Sequence, residues 1–332
     1  MTQTFAKSAR SGGASTSQTT SRTGLGIACG MGAGALWGLV FLAPELVRAF
    51  TPLQLAIGRY LAYGLLAAAL LSPRWGRLLR VLDRSEWRAL VWLALTGNTI
   101  YYVLLSSAIQ LGGIAMTSLV IGFLPVAVTI IGSRDQGAVP LRKLAPSLVL
   151  CMGGALCIGW QALSAPASGS TATQITGLAC AIGALVSWTT YAVCNSRCLA
   201  RLEHVSAHDW SLLTGIMTGA QALLLIPVTV LFEPLRHSGT AWLQFTGVSL
   251  AVAIFASIVG NGLWNRMSRL LPLTMVGQMI LFETLFALLY GFAWEHRLPT
   301  LLEAGAFALV VLSVTSCIST HQRAAKVLAA VE

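Results

Sequence analysis

Apolar stretches of roughly 18–25 residues recur from end to end of the 332-residue chain, each long enough to cross a ~30 Å hydrocarbon layer as a helix. A backbone in lipid has no water to bond, so only helices and closed barrels can span it. The runs here are continuous and do not alternate residue by residue, which excludes a β-barrel. Composition agrees: 56% of residues are hydrophobic and 10% charged, with mean hydropathy +0.75, against about 25% charged in a soluble domain. The expected fold is an all-α polytopic membrane protein.

Apolar runs and their polar breaks predict ten transmembrane helices, at 24–46, 53–72, 89–110, 114–132, 144–160, 177–195, 209–232, 242–264, 272–293 and 301–320. Thr51-Pro52 reads as a helix start, because proline in a first turn loses no hydrogen bond. Residues 1–23 are rich in Ser and Thr with little apolar bulk, which predicts a disordered cytoplasmic tail. A cleaved signal peptide is the rival reading. It is disfavoured because the first apolar run starts only at Gly24 and is full-length for a span. The stretch 161–176 reads as an uncharged small-residue extracytoplasmic loop, and 321–332 as a cytoplasmic C-terminal tail.

The net charge of +10 does not point to nucleic acid, because the basic residues fall in short gaps between spans, where they set topology. With a cytoplasmic N-terminus, 17 Lys and Arg lie inside, three lie outside (Arg48, Arg236 and Arg297), and Arg59 is left within a helix. Both termini are then cytoplasmic in a multi-pass cytoplasmic (inner) membrane protein. The seven cysteines have no zinc-like spacing and read mostly as small buried apolar residues. No phosphate loop or HExxH motif occurs, and the five histidines fall in loops or at the C-terminal end. No enzyme, metal or cofactor is expected, and no ring of charge marks a channel.

The two halves resemble each other. Gly97-Asn98 in the third span and Gly260-Asn261 in the eighth are each followed by aromatics, then by a short break (LGG at 111–113, SRLLP at 268–272) and another apolar helix. Five spans per half place the halves, 24–160 and 177–320, upside down relative to each other. Inverted repeats of this kind are characteristic of transporters.

On these residues the chain resembles the EamA-type, ten-helix members of the drug/metabolite transporter superfamily. The resemblance is carried by ALWGLVF at 35–41, TPLQLAIGRYLAYGLLAAALL at 51–71, Leu124-Pro125, and FETLFALLYGFAWEHRLPTLLEAGAFALVVLSV at 282–314. In that family the ninth helix often reads Glu-Pro, with a Gly-Glu pair about twelve residues on. Glu283 matches the first glutamate but is followed by Thr284; Glu295 matches the second but follows Trp294. In the first half Asp135 and Gln136 stand in the corresponding gap. The resemblance implies secondary active transport by alternating access: export of small organic metabolites, amino-acid-like or amphipathic and cationic, with proton coupling as one option. The alternative from another class is a non-transporting membrane receptor or assembly subunit. The expected partners are a small-molecule solute and the lipid bilayer, with a homodimer as an assembly to be tested.

Ionisable groups inside spans are the first site candidates, since each costs about 2.5–3.5 kcal/mol at a helix centre. Arg59 offers a permanently charged bidentate fork for a carboxylate; the competing role is a snorkelling or structurally paired arginine. Glu283 is a candidate for proton or cation coupling, or else a protonated acid bonding a neighbouring helix. Candidate substrate-binding residues are Trp37, Arg59, Asn98, Tyr102, Trp188, Tyr191, Asn261, Trp264 and Gln278: aromatic walls with a few amides, suited to an amphipathic solute. Trp75, Trp87, Trp242 and Trp294 read as an interfacial belt. Gly26, Gly30, Gly34 and Gly38 form a small-residue stripe for close helix contact, static or sliding.

Overall fold

In the computed structural model, residues 22–163, 170–233, 236–294 and 296–331 are described. The tail before residue 22, residues 164–169 and Glu295 lie outside them; the expected 161–176 loop is shorter than predicted, because helices run up to Leu163 and start again at Thr171. Among the described residues there is no strand, and nine helices are long and apolar enough to cross a membrane. We number the helices α1 (Arg22–Leu46), α2 (Leu53–Val81), α3 (84–121), α4 (Leu124–Gly132), α5 (Leu141–Trp160), α6 (Thr171–Arg201), α7 (Ala207–Phe232), α8 (Gly239–Leu270), α9 (Leu273–Trp294) and α10 (Leu301–Ala324). The first-half order departs from expectation at one place. LGG at 111–113 does not interrupt the helix, which runs Ile100–Ile121. The break comes instead at Gly122-Phe123, one step before Leu124-Pro125, where proline takes the first turn of α4 without losing a bond.

Helix starts follow local chemistry. Thr51 caps α2 in a full capping box with Gln54, and Asp83 caps α3 in another with Glu86. Serines cap α6, α7 and α8 at Ser170, Ser206 and Ser238. Leu65, Val149, Phe232 and Leu243 are exposed on the outer surface, as lipid-facing side chains must be, while Trp75, Trp242 and Trp294 stand exposed near helix ends. Of the cysteines, Cys29, Cys151 and Cys317 are buried, Cys157, Cys180 and Cys198 half-buried and Cys194 exposed, all as free thiols. His208 corrects the reading of the histidines, since it lies in the first turn of α7; His321, at the C-terminal end as expected, is buried in the last helix with Nε2 2.8 Å from Thr274 Oγ1.

Small residues bring the helices together. A Cβ on Gly34 would lie 2.8 Å from the Glu283 backbone nitrogen, and one on Gly38 2.9 Å from that of Ala287. Gly34 and Gly38 of the α1 stripe are therefore pressed against the α9 backbone, while Gly26 and Gly30 meet the side chains of Leu270, Leu271, Met267 and Met279. Likewise α2 meets α7 through Gly64 and Gly219, where an added Cβ would sit 2.8 Å from the facing Cα. In the same way α4 meets α9 where a Cβ on Gly277 would reach the Pro125 carbonyl at 3.1 Å. Without a hydrophobic force between helices in lipid, such close van der Waals approach is what holds a bundle.

Candidate transport site

Two pairs of matching irregularities, one in each half, converge on the middle of the bundle. Residues Leu95–Thr99 of α3 and Ala253–Gly260 of α8 are π-helical. These are the turns that lead into or contain the Gly-Asn pairs. A π turn lengthens the backbone bond to i→i+5 and is found often at functional sites. Each is braced by the opposite half's leading helix. Ser187 of α6 donates from Oγ to the Thr96 carbonyl at 2.8 Å, and Trp37 of α1 donates from Nε1 to the Ala256 carbonyl at 3.0 Å. Gly97 and Gly260 permit the approach: a Cβ would come within 2.5 Å of the Tyr191 ring and 2.9 Å of Trp37 Nε1 respectively. The second pair comprises the break between α3 and α4, at Gly122-Phe123, and the break within α9, at Ile280. After the latter the Glu283 N–H bonds back to Ile280 C=O at 3.0 Å. Interrupted helices in corresponding positions of two repeats are the strongest local pointer to a transporter's binding site.

The aromatics form a connected tier. Trp264 is buried between Trp37, at 5.1 Å between ring centroids, and Trp188, at 5.6 Å. Trp188 in turn meets Tyr191 at 5.9 Å and Tyr101 at 6.5 Å. Trp37 and Trp188 are themselves repeat mates: GIACGMGAGALW at 26–37 and GLACAIGALVSW at 177–188 agree at six of twelve positions. That in-register match is a sequence signal for α1 and α6 that a comparison confined to the Gly-Asn helices passes over.

Toward the Arg-rich face a buried polar cluster lies within the second half. Asn195 donates to Asn265 Oδ1 at 2.9 Å and accepts from Trp210 Nε1 at 3.1 Å, all three buried. Beyond them, ionic contacts join one half to the other: Arg74 with Asp209 at 2.5 Å, Arg197 with Asp135 at 2.6 Å, and His204 with Glu86 at 3.0 Å.

On the other side of the tryptophan tier stand Arg59, Tyr101, Tyr102 and Glu283, all half-buried. Arg59 donates from Nε to Ser257 Oγ at 3.0 Å and lies over the Tyr60 ring at 5.5 Å. Its terminal nitrogens make no bond among the described residues, so the bidentate edge of the guanidinium remains available. The Glu283 carboxylate has no hydrogen-bond partner among the described residues either, and both Arg59 and Tyr101 are near enough to act on it electrostatically. Tyr60 and Tyr102 complete this wall with an edge-on contact at 6.3 Å.

The structure thus gathers Trp37, Arg59, Tyr102, Trp188, Trp264 and Glu283 around one region, with Tyr191 behind it against Gly97. The amides sit differently. Asn98 donates to Thr218 Oγ1 at 3.2 Å, tying α3 to α7, and Asn261 accepts from Trp37 at 3.2 Å, tying α8 to α1. Gln278 is fully buried elsewhere, accepting from Ser313 at 3.0 Å between α9 and α10. Tyr101 was missed as a candidate, although it follows Tyr102's logic one position earlier on a π-distorted helix.

Comparison with known proteins agrees with this architecture. The profile of the EamA-like transporter family matches twice, over residues 24–160 and 175–318. The chain belongs to the EamA-like transporter family. It is also 34% identical over 303 residues to the inner membrane protein YtfF of Escherichia coli (strain K12), covering 85% of this chain and 91% of that one. One solved crystal structure superposes with a TM-score of 0.73 over 90% of this chain and 98% of its own. At 20% identity that match speaks to the fold alone. This EamA-like protein is a membrane transporter of the drug/metabolite type and not an enzyme, and it is a multi-pass inner-membrane protein with two family repeats.

Proposed function

We propose that this transporter exports small amphipathic organic solutes that carry a carboxylate, a cationic group or both, amino-acid-like compounds among them. It does so by rocking its two inverted halves about the tryptophan tier. The observation that carries the reading is the pairing of Arg59 and Glu283. These two ionisable groups lie well inside the spans, yet each keeps its charged edge free of partners among the described residues and faces the same region. A guanidinium with its fork unspent suits a carboxylate, an unbonded carboxylate suits an ammonium or a proton, and the indole rings suit an apolar or cationic body.

The pattern of burial supports an outward-facing arrangement, with the N- and C-termini and the Arg-rich face cytoplasmic by the positive-inside rule. Trp210, Trp264 and Met267 are fully buried on the Arg-rich side, whereas Tyr101, Tyr102, Phe286 and Tyr290 are half-buried on the other. A cavity of about 450 Å³ opens there between Leu42, Tyr290 and Trp294. Glu283 is assigned to coupling: protonation and solute binding at the carboxylate exclude one another, so a proton entering from outside releases the solute.

Transport of radiolabelled solutes into everted vesicles tests the pairing. Glu283→Gln should abolish the dependence of transport rate on pH across roughly pH 5–8, and Arg59→Lys should raise KM for carboxylate-bearing solutes while sparing those without one. A folded Glu283→Gln protein with the wild-type rate and pH profile removes Glu283 from the mechanism.

A further inference from the structure

We propose that a second site, separate from the transport site, binds the phosphate-bearing headgroup of an anionic phospholipid on the Arg-rich face. A cavity of about 780 Å³ lies there, between the ends of α6, α7 and α8 and the start of α1. Its charged lining is one-sided: Arg22, Arg266 and Arg269 against Glu203. The cationic groups come from two helices far apart in sequence, so the cluster is made by the fold and is not a run of basic residues.

Arg269 is held for the task. One terminal nitrogen donates to the Leu202 and Val205 carbonyls, each at 2.5 Å, fixing the guanidinium, while its buried Nε–H has no partner among the described residues. A buried donor left unpaired costs free energy that an arriving acceptor would recover. Arg22 and Arg266 are exposed and free to close on a phosphate from the rim.

The rest of the lining identifies the kind of anion. Val259 and Leu263 line the cavity on the membrane side. Val259 and neighbouring Phe255 are 43% and 53% exposed on a helix that crosses the bilayer, so the apolar strip continues onto the lipid-facing surface. A free phosphate uses the arginines and has no use for that strip. A phospholipid uses both, with its headgroup at the helix ends and its acyl chains along α8. Basic pockets between helix ends on the cytoplasmic side are a known way of holding anionic headgroups.

The test uses the purified full-length protein in a neutral detergent. Its melting temperature is measured with phosphatidylglycerol, with phosphatidylcholine at the same mole fraction, and with inorganic phosphate alone; native mass spectrometry counts retained lipid. Phosphatidylglycerol should raise the melting temperature by a few degrees and stay bound, since a ligand of the native state stabilises it by mass action, and phosphate alone should do neither. Arg266→Gln and Arg22→Gln should each weaken the effect several-fold and Arg266→Lys should largely keep it. Arg80→Gln, on the same face but outside the cavity, should leave it intact. All these side chains are exposed, so the variants fold. An equal shift with phosphatidylcholine, an equal shift with phosphate, or an equal loss in Arg80→Gln would each overturn the proposal. Transport enters none of these readouts, so the site stands or falls independently of the assigned solute.

Discussion

Replacing Gly34 by alanine strikes one of the most crowded contacts between the halves. An ideal Cβ there meets Phe282 Cβ at 2.5 Å and the Glu283 nitrogen at 2.8 Å. Ordinary contact begins near 3.4 Å, so α1 and α9 must part by about 1 Å, and neither facing group is the far end of a flexible side chain. Inserting a methylene-sized group against backbone in a packed interior costs about 1–3 kcal/mol. Part of that is offset, because alanine gains about 1 kcal/mol over glycine in helix propensity. A net loss of about 1–2 kcal/mol is therefore expected. Gly247 is the matched control. It also lies within a helix, but nothing stands within 4 Å of its added Cβ, so Gly247→Ala should be neutral or slightly stabilising. Thermal unfolding in detergent, followed by size-exclusion fluorescence, ranks the two against the parent. Gly34→Ala should also disturb solute binding, since it displaces the turn that carries Glu283. If Gly34→Ala is as stable as Gly247→Ala, the α1–α9 backbone contact is not what joins the halves, and the reasoning fails.

Two further outcomes are expected. Arg74→Met leaves the Asp209 carboxylate buried without its cation; because the guanidinium is itself partly exposed, the cost should be nearer about 1–2 kcal/mol than the full value of a buried pair. The same change should shift the protein toward conformations open at the Arg-rich face, read as faster thiol labelling of a cysteine placed at position 265. At Asp83, the hydrogen bond from the Glu86 backbone N–H, 2.7 Å long, is the main reason its carboxyl sits below the usual carboxylate range. The unfolded chain then takes up the proton first as pH falls, so this cap's contribution is present above about pH 4 and lost below it. Asp83→Asn should keep the cap and flatten that acid limb in a stability-versus-pH series, whereas Asp83→Ala should lose the cap at every pH.

Much of the fold was legible because a membrane imposes one rule on every span. Continuous apolar length marked the helices, Thr51-Pro52 marked a true capping box, and the paired Gly-Asn dipeptides marked the two helices that prove to carry π turns. What periodicity cannot convey is where a helix bends without stopping. LGG at 111–113 looks like a break but helix continues through it, because two glycines weaken a helix without removing its bonds, as a proline would. At the site, Arg59 and Glu283 were legible as the two charges out of place, and their shared region follows from packing that only three dimensions supply. The amides were harder. Asn98, Asn261 and Gln278 are polar in the right helices, and whether such a group faces a cavity or pins a neighbour depends on which helix lies across from it. Here Thr218, Trp37 and Ser313 lie opposite, and each amide has been drawn into a helix–helix bond.

The central claim, that the two halves alternate about a shared site, is tested most directly by locking the Arg-rich seal. In a background without the native cysteines, the pair Asp135→Cys and Arg197→Cys, whose parent side chains meet at 2.6 Å, is joined by a short bifunctional thiol reagent. The account predicts that the cross-linked protein still binds solute from the opposite side yet has lost transport, while each single-cysteine protein treated alike retains it. A cross-linked protein that transports at the rate of the untreated one would contradict alternating access through this face.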